Sequence, residues 1–508
     1  MSINEFARTT DWLRARAEAS PQAMAVLIGG QAFTFSRLDE LTTHLCSYLA
    51  HEGARPGDHV ALLMLNSVAA VCSVFAVSRL GAVLVPLNTR LTAAELVWQV
   101  ERSGCGRLLC LPGNEAIARD VANGGIPVHV LPESPGELET WLDERPYDTS
   151  VTSATRDTGS LQAIQFTSGT TGFPKGAMIT HANHFWSAVA SAFKLGVQVD
   201  DRWLACLPLY HVGGVAILFR SCLYGTAVVV QNGFDTVTVM ASLQSEAITL
   251  VSLVPTMLQR LLEAGLTAAN APALRLILLG GAAAAPDLLA RASAAGLPVA
   301  VTYGLTEAAS QVATMLPVGA PEKPGSPGHA LLFSEVSIVD DEGRQVGPNV
   351  PGEIVVNGPT VMAGYYADPQ ATAAALKGGW LHTGDVGYLD REGDLWVLDR
   401  RSDLIVSGGE NVYPAEIERT LRSHPAVAAA CVVGLPHPDW GRQVAAMVVL
   451  KDQESLTADE LLAYCRTQLA GFKQPRLVVF RDELPLTGSG KIQRRAVIDE
   501  MTGLMESA

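Results

Sequence analysis

The sequence predicts an α/β fold: a large N-terminal domain of two layered α/β sheets with a β-rich subdomain, followed by a small mobile C-terminal α/β domain. Three observations carry this expectation. Short apolar runs alternate with helical segments over 34–100 and again over 202–279, the pattern of parallel strands covered by helices. From about 319 the helical spacing thins, and short β segments stand between Gly, Pro and Asp turns. A charged break, Asp399-Arg400-Arg401-Ser402-Asp403, then separates about a hundred residues that read as an α/β unit of their own. The expected domains are 1–398 (β-rich subdomain about 319–398), a hinge at 399–403, and 404–508.

In chain order, Phe35–Glu52 reads as an amphipathic helix, Val60–Leu65 as a strand and Val68–Leu80 as an apolar helix. Ala82–Pro86 is a strand, and Thr92 caps a helix running to Glu101. The second series has strands at Arg202–Leu207, Ala227–Val230, Leu250–Leu253 and Arg275–Leu279. Helices at Val215–Leu223, Val237–Glu246 and Thr256–Ala264 come between them. The β-rich part offers Glu335–Val339, Gly352–Val356 and Leu395–Leu398. The last unit reads helix 416–421, strands 427–433 and 444–450, helix 456–469 and strand 477–480.

Composition narrows the function classes. The chain has 508 residues, 48% hydrophobic and 17% charged, which excludes a disordered chain or a coiled coil. Lys and Arg number 36 against 51 Asp and Glu, a formal charge of −15, so a broad basic surface for nucleic acid is not expected. The uncharged stretch Val60–Ser78 is long enough to raise the question of a membrane span. Asn66-Ser67 splits it, and a buried strand followed by a buried helix fits better. No basic-then-apolar leader opens the sequence. The eight cysteines show no CxxC and no metal-ligand spacing, so they read as reduced thiols in a cytoplasmic protein.

The most informative segment is 167–176, Thr-Ser-Gly-Thr-Thr-Gly-Phe-Pro-Lys-Gly, after the apolar strand Leu161–Phe166. It is neither a Walker loop nor GxGxxG. Gly169, Gly172 and Gly176 let several N–H groups face one anion, Thr167, Ser168, Thr170 and Thr171 add hydroxyls, and Lys175 adds charge. These are the properties of a polyphosphate cradle. A flexible Ser/Thr/Gly linker is the competing reading, and Pro-Lys-Gly straight after a buried strand speaks against it.

This loop resembles the signature of the adenylate-forming superfamily, which includes acyl-CoA synthetases, peptide-synthetase adenylation domains and luciferases. The resemblance continues in order through YGLTE at 303–307, WLHTGD at 380–385, DRRSDLIVSGGENVYPAEIE at 399–418 and PLTGSGKIQR at 485–494. The overall texture is most similar to o-succinylbenzoate–CoA ligases and to aryl- and medium-chain acyl-CoA ligases. The resemblance implies a two-step reaction with ATP, Mg²⁺ and coenzyme A. A carboxylate first attacks the α-phosphate of ATP, giving an acyl adenylate and pyrophosphate. The thiol of coenzyme A then displaces AMP, with domain alternation between the steps.

The resemblance also implies roles. Lys491 is the catalytic lysine of adenylation, suited to the negative charge that builds up there. Glu307, next to Thr306, binds Mg²⁺, a hard cation that takes oxygen ligands, with Thr167 as a second ligand. Thr167–Gly172, Lys175, Gly281, Ala282, Ala283, Thr302, Tyr303 and Gly304 line the ATP site, and Tyr303 stacks on adenine. Asp385 accepts both ribose hydroxyls, and Arg400 is a second ribose or phosphate contact. His211 gates the acyl site, which Val212, Gly213, Ile217, Leu253, Pro255, Gly280, Tyr303, Gly304 and Val312 line. No buried cation for a dicarboxylate is assigned there. Gly408 and Gly409 leave a passage for pantetheine. Trp440, Phe472, Lys473 and Arg476, with Arg90 from the large domain, are the coenzyme A contacts. Ordinary packing is the competing reading for the two aromatics. Ser402 stands at the hinge position, where relatives often carry Asp or Lys.

The expected partners are a small carboxylic acid, ATP and coenzyme A, with no nucleic acid and no membrane span; the oligomeric state is not readable from the sequence, although a homodimer is common among relatives. The alternatives are a stand-alone adenylation protein that loads a carrier protein and an enzyme that runs one half-reaction. A non-catalytic adenylate binder fits poorly with intact Lys175, Glu307, Asp385, Arg400 and Lys491.

Overall fold

The structure is a computed structural model that describes residues 8–9, 11–148, 156–167, 174–399, 404–451, 454–485 and 492–506. The chain divides into two compact units. The first comprises Met1–Thr89, Val100–Phe166 and Gly176–Leu398; the second comprises Arg90–Gln99, Thr167–Lys175 and Asp399–Ala508.

The first unit is built on two large sheets. In the eight-stranded sheet the order is Ser310–Met315, Val299–Leu305, Leu276–Leu279, Leu250–Leu253, Arg202–Ala205, Ala227–Val230, Met24–Ile28 and Gln31–Thr34. The inner pairings are parallel and both edges are antiparallel. Side chains alternate between faces of a strand, and here both faces are covered. Trp203, Ala205, Val228, Val230, Leu276 and Leu278 enter one core; Leu204, Val229, Val251, Leu253, Ile277 and Leu279 enter another. This double burial is why the strands read as unbroken apolar runs.

The six-stranded sheet runs Lys175–Thr180, Leu161–Thr167, Val83–Pro86, His59–Leu63, Cys105–Cys110 and Val128–Val130. Its Val60, Leu62, Leu84 and Leu109 share the first core with the other sheet and with the helices Phe35–His51, Val68–Leu80 and Val212–Tyr224. The helix Val68–Leu80 is almost wholly buried. Ser67 caps its start by accepting from the Ala70 amide at 3.1 Å, and Gly81, at φ 82°, ends it in the left-handed region. Among the described residues no helix is long and apolar enough to cross a membrane.

The β-rich part is an antiparallel five-stranded sheet, Glu335–Val339, Gly352–Asn357, Trp380–Leu389 and Leu376–Lys377, with Leu395–Asp399 paired to Trp380–Leu389. The ten-residue strand Trp380–Leu389 has no counterpart in the sequence reading, because its polar motif residues break the apolar alternation.

The second unit carries a five-stranded sheet ordered Glu410–Val412, Ile405–Ser407, Gly441–Leu450 and Val427–His437, with Leu477–Phe480 parallel to Gly441–Leu450. Ala430, Val432, Val444 and Ala446 face one core, and Cys431, Val433, Ala445 and Met447 face the other. The helix expected at 456–469 is Ala458–Arg466, because Thr457 and Glu460 form a capping box that sets its start.

Candidate active site

In the first unit two carboxylates are delivered by two local irregularities. Val299–Leu305 ends in a single helical turn, Thr306–Ala308, that carries Glu307. The partner strand runs so close that a Cβ on Gly304 would lie 1.8 Å from the Ser310 carbonyl oxygen, so only glycine fits there. Asp385 comes from a bulge. Glu353 faces Val386 and Val355 faces His382, so Thr383, Gly384 and Asp385 stand opposite Ile354 alone. Bulges re-aim side chains in this way. The bulge is tied down: Thr383 Oγ1 donates to the Ile354 carbonyl at 2.7 Å, Asp385 N–H donates to Thr383 Oγ1 at 3.0 Å, and Gly384 N–H donates to Glu353 Oε1 at 2.9 Å. The other oxygen of Glu353 lies 2.8 Å from His382 Nδ1.

Each carboxylate takes a phenol. Tyr303 Oη donates to Asp385 at 2.6 Å, and Tyr365 Oη donates to Glu307 Oε1 at 2.8 Å. Both acids and both tyrosines are buried. A buried carboxylate held by a tyrosine hydroxyl is a hard oxygen donor, and Glu307 therefore fits a magnesium ion. Thr306 adjoins it, half-buried. The Tyr303 ring itself is 3% exposed. The Thr302 hydroxyl lies 2.9 Å from the Ala313 carbonyl oxygen and 2.8 Å from Thr314 Oγ1.

The wall at 280–283 is backbone. A Cβ on Gly280 would meet Thr302 Cγ2 at 2.7 Å, and Gly281 has φ 82° with Val254 at 3.0 Å. Ala282 and Ala283 continue it, half-buried and exposed. His211 stands at the start of the helix Val212–Tyr224 with its ring 4.8 Å from Tyr210. A Cβ on Gly214 would come within 2.1 Å of the Pro208 carbonyl oxygen, so the helix starts tight against the Leu207–Pro208 turn, and Gly213 adjoins it. That turn is clamped by Asn66, whose Nδ2 donates to the carbonyls of Ala205 (3.3 Å) and Leu207 (2.9 Å) and whose Oδ1 accepts from the Leu209 amide (2.9 Å). Val212 is buried, while Ile217, Leu253 and Val312, each at most 1% exposed, belong to three different cores.

In the second unit, Thr167 and Lys175 bracket the glycine-rich loop, with Thr167 Oγ1 3.4 Å from the Lys175 carbonyl oxygen. Ser168, Gly169, Thr170, Thr171, Gly172, Arg400, Ser402 and Lys491 lie outside the described residues. Gly408 and Gly409, at φ 56° and 86°, make the turn between Ile405–Ser407 and Glu410–Val412. The Gly408 amide donates to the Trp440 carbonyl at 3.0 Å. The Arg476 guanidinium lies 4.9 Å over the Trp440 ring, which stacks on His437 at 4.2 Å. Arg90 lies 4.9 Å over Phe472 and pairs with Glu410 at 3.1 Å. These two arginine–aromatic pairs gather most of the expected coenzyme A contacts.

Lys473 corrects the sequence reading. It is 3% exposed and bonded to Glu95 at 2.7 Å and Glu416 at 2.8 Å. Burial alone would lower its pKa, but the two carboxylates outweigh that and raise it. Its charge is already neutralised, so it does not serve a phosphate.

The sequence reading also passed over Tyr365, Glu353 and Asn66. Only Asn66 left a signal, as a polar residue interrupting an apolar run.

A family model described as AMP-binding enzyme matches residues 13–366, and one described as AMP-binding enzyme C-terminal domain matches 416–491. The chain belongs to the AMP-binding enzyme family. It is an AMP-forming acyl-CoA synthetase within that family. A 2-succinylbenzoate–CoA ligase of Bacillus cereus is 41% identical over 498 residues, covering 97% of this chain and 99% of the relative. The o-succinylbenzoate CoA synthetase of Bacillus subtilis has been solved in several complexes. A double mutant bound with a product analogue superposes with TM-score 0.91 at 39% identity, covering 97% of this chain and 99% of that one. The complex with its acyl-adenylate intermediate gives 0.74 at 39%, covering 96% and 98%. The complex with ATP and magnesium ion gives 0.73 at 39%, covering 96% and 99%. The α/β architecture of this AMP-binding enzyme is thus the one its sequence predicts.

Proposed function

We propose that this AMP-binding enzyme converts 2-succinylbenzoate, ATP and coenzyme A to the acyl-CoA, AMP and pyrophosphate. The observation that supports the chemistry is the pair of tyrosine–carboxylate bonds, which set Asp385 to accept the ribose hydroxyls and Glu307 to hold magnesium. Likeness over 97% of the chain to a 2-succinylbenzoate–CoA ligase supports the acid.

Glu307, with Thr167, would hold the magnesium, which when bound neutralises phosphate charge. The glycine-rich loop and Lys175 hold the phosphates, and the carboxylate oxygen attacks the α-phosphorus as pyrophosphate leaves. Positioning and charge neutralisation do most of this work. Lys491 stabilises the charge on the entering carboxylate and α-phosphate. In the second step the thiol loses its proton and attacks the acyl carbonyl, and AMP departs. We assign that step to Gly408 and Gly409, with Trp440, Phe472, Arg476 and Arg90 binding the nucleotide part of coenzyme A. The second unit thus serves the two steps in turn. His211 closes the acyl site.

Eight free, buried cysteines support a reducing, cytoplasmic compartment. A homodimer, which the resemblance implies, would appear as a doubled mass by light scattering.

The test is pyrophosphate release against aryl, cyclic and fatty acids, with and without coenzyme A. 2-Succinylbenzoate should give coenzyme A-dependent turnover. Lys491→Ala should lower pyrophosphate release by about 100-fold or more while sparing thioester formation from preformed acyl adenylate. Turnover of fatty acids alone would overturn the substrate, and an unaffected Lys491→Ala would overturn the lysine's role.

A further inference from the structure

Asp385 is set from two directions. Tyr303 Oη holds its carboxylate, while its main chain sits in the bulge of Trp380–Leu389, where three residues stand opposite Ile354 alone. A bulge takes backbone groups out of their regular ladder, so its shape depends on what meets them instead. Here the neighbouring strand Gly352–Asn357 meets them with two adjacent residues. The Ile354 carbonyl accepts the Thr383 hydroxyl, and the Glu353 carboxylate accepts twice. Its Oε1 accepts from the Gly384 amide at 2.9 Å, and its Oε2 lies 2.8 Å from His382 Nδ1, which donates because a carboxylate only accepts. One side chain thus grips the residue before Thr383 and the residue after it.

Three features make this grip a constraint on Asp385. Gly384 has φ 72°, so the chain turns through the left-handed region immediately before Asp385, and the acceptor on its amide fixes that turn. The bond is charge-assisted, and such bonds are about twice as strong as neutral ones. Glu353 also stands on a base with no slack. A Cβ on Gly352 would lie 2.3 Å from the Val339 carbonyl oxygen, and one on Gly387 would lie 2.4 Å from the Trp396 carbonyl oxygen. The Glu353 side chain is 33% exposed, so its pairing with His382 alone would count for little. The bond to the Gly384 amide is what ties it to Asp385.

We propose that Glu353 is the positioning residue of the ribose contact. By holding the bulge it aims Asp385, and so it sets how sharply the enzyme tells a ribose with both hydroxyls from one that lacks either. This rests on the reading that Asp385 accepts the ribose hydroxyls of ATP. Two hydroxyls met by one carboxylate tolerate little misplacement. The phosphates are assigned to the glycine-rich loop and Lys175, whose hold does not pass through the bulge.

The experiment measures pyrophosphate release by wild type, Glu353→Ala and Glu353→Gln with ATP and with its 2′-deoxy and 3′-deoxy forms, using the acid that wild type turns over best. Wild type should prefer ATP over each deoxy form by about 30-fold in kcat/KM, the size of a hydrogen bond to a charged group. Glu353→Ala should cut that preference to about threefold by raising KM for ATP, with kcat little changed. Glu353→Gln keeps a neutral acceptor for the Gly384 amide, so its preference should fall between the two. Equal loss on all three nucleotides would make Glu353 a residue of sheet stability and overturn the proposal, and an unchanged preference in Glu353→Ala would overturn it too. Either result leaves the ribose reading of Asp385 standing. Wild type with no preference for ATP would instead sink that reading and this inference with it. Should Glu353→Ala not fold, Glu353→Gln decides: its preference should be about threefold below that of wild type, and a wild-type preference would overturn the assignment.

Discussion

At the scale of single residues, the site depends on side chains that hold other side chains. Tyr365 is the clearest case, since its hydroxyl is the bond that orients Glu307 from the β-rich part of the first unit. Tyr365→Phe should raise the magnesium concentration needed for half-maximal pyrophosphate release by about tenfold, the size of one hydrogen bond to a charged group, with little change in kcat. Unchanged magnesium dependence would remove Tyr365 from the site. Glu307 and Asp385 could be named as candidates from the sequence because a fixed string announces them. Tyr365 and Glu353 could not, because they reach the site through strand pairing and a bulge that no local pattern encodes.

At the scale of elements, most strands and helices of the two large sheets were legible, because burial on both faces writes itself as unbroken Val, Leu and Ala runs. Boundaries moved where caps and turns intervene. The strand at Arg202 stops at Ala205 because Asn66 takes over the next carbonyl at Leu207. The ends of three parallel strands are laced together by one polar group that the apolar pattern hides. Asp201 accepts from Arg275 (2.7 and 2.6 Å), from Thr249 Oγ1 (2.8 Å) and from the Gln198 amide (2.8 Å), and these residues stand just before the strands at 202, 250 and 276. Burial works against its ionisation, but the hydrogen bonds outweigh burial and hold Asp201 below the usual carboxylate range. A carboxyl whose folded pKa is depressed stabilises the fold above its unfolded pKa, and that contribution is lost as pH falls through the folded value. Arg275→Ala should therefore cost about 3 kcal/mol at neutral pH by urea denaturation. The gap between Asp201→Asn and wild type should close in acid, below the usual carboxylate range. A pH-independent gap would show that packing, not charge, is what Asp201 supplies.

At the scale of the whole molecule, the sequence reading sets a boundary at the charged break 399–403, and the second unit takes up the chain from Asp399. The inclusion of Arg90–Gln99 and Thr167–Lys175 in the second unit was not legible, since the glycine-rich loop reads as a phosphate site rather than a domain boundary and nothing marks Arg90–Gln99 off from its neighbours. The cysteines are also a property of the whole chain. All eight are free and buried, and burial pushes the thiols of Cys72 and Cys206 up to about 12 and those of Cys105 and Cys465 to about 11. Ellman's reagent should find almost no reactive thiol in the native enzyme and eight after denaturation, whereas a fast-reacting thiol in the native state would contradict this burial. An acyl adenylate is a potent electrophile, and any nucleophilic sulfur it met on the protein would become a dead-end thioester. By hiding every cysteine thiol of its own and raising the cost of ionising it, the enzyme is protected from self-acylation and leaves the thiol it is offered without a rival.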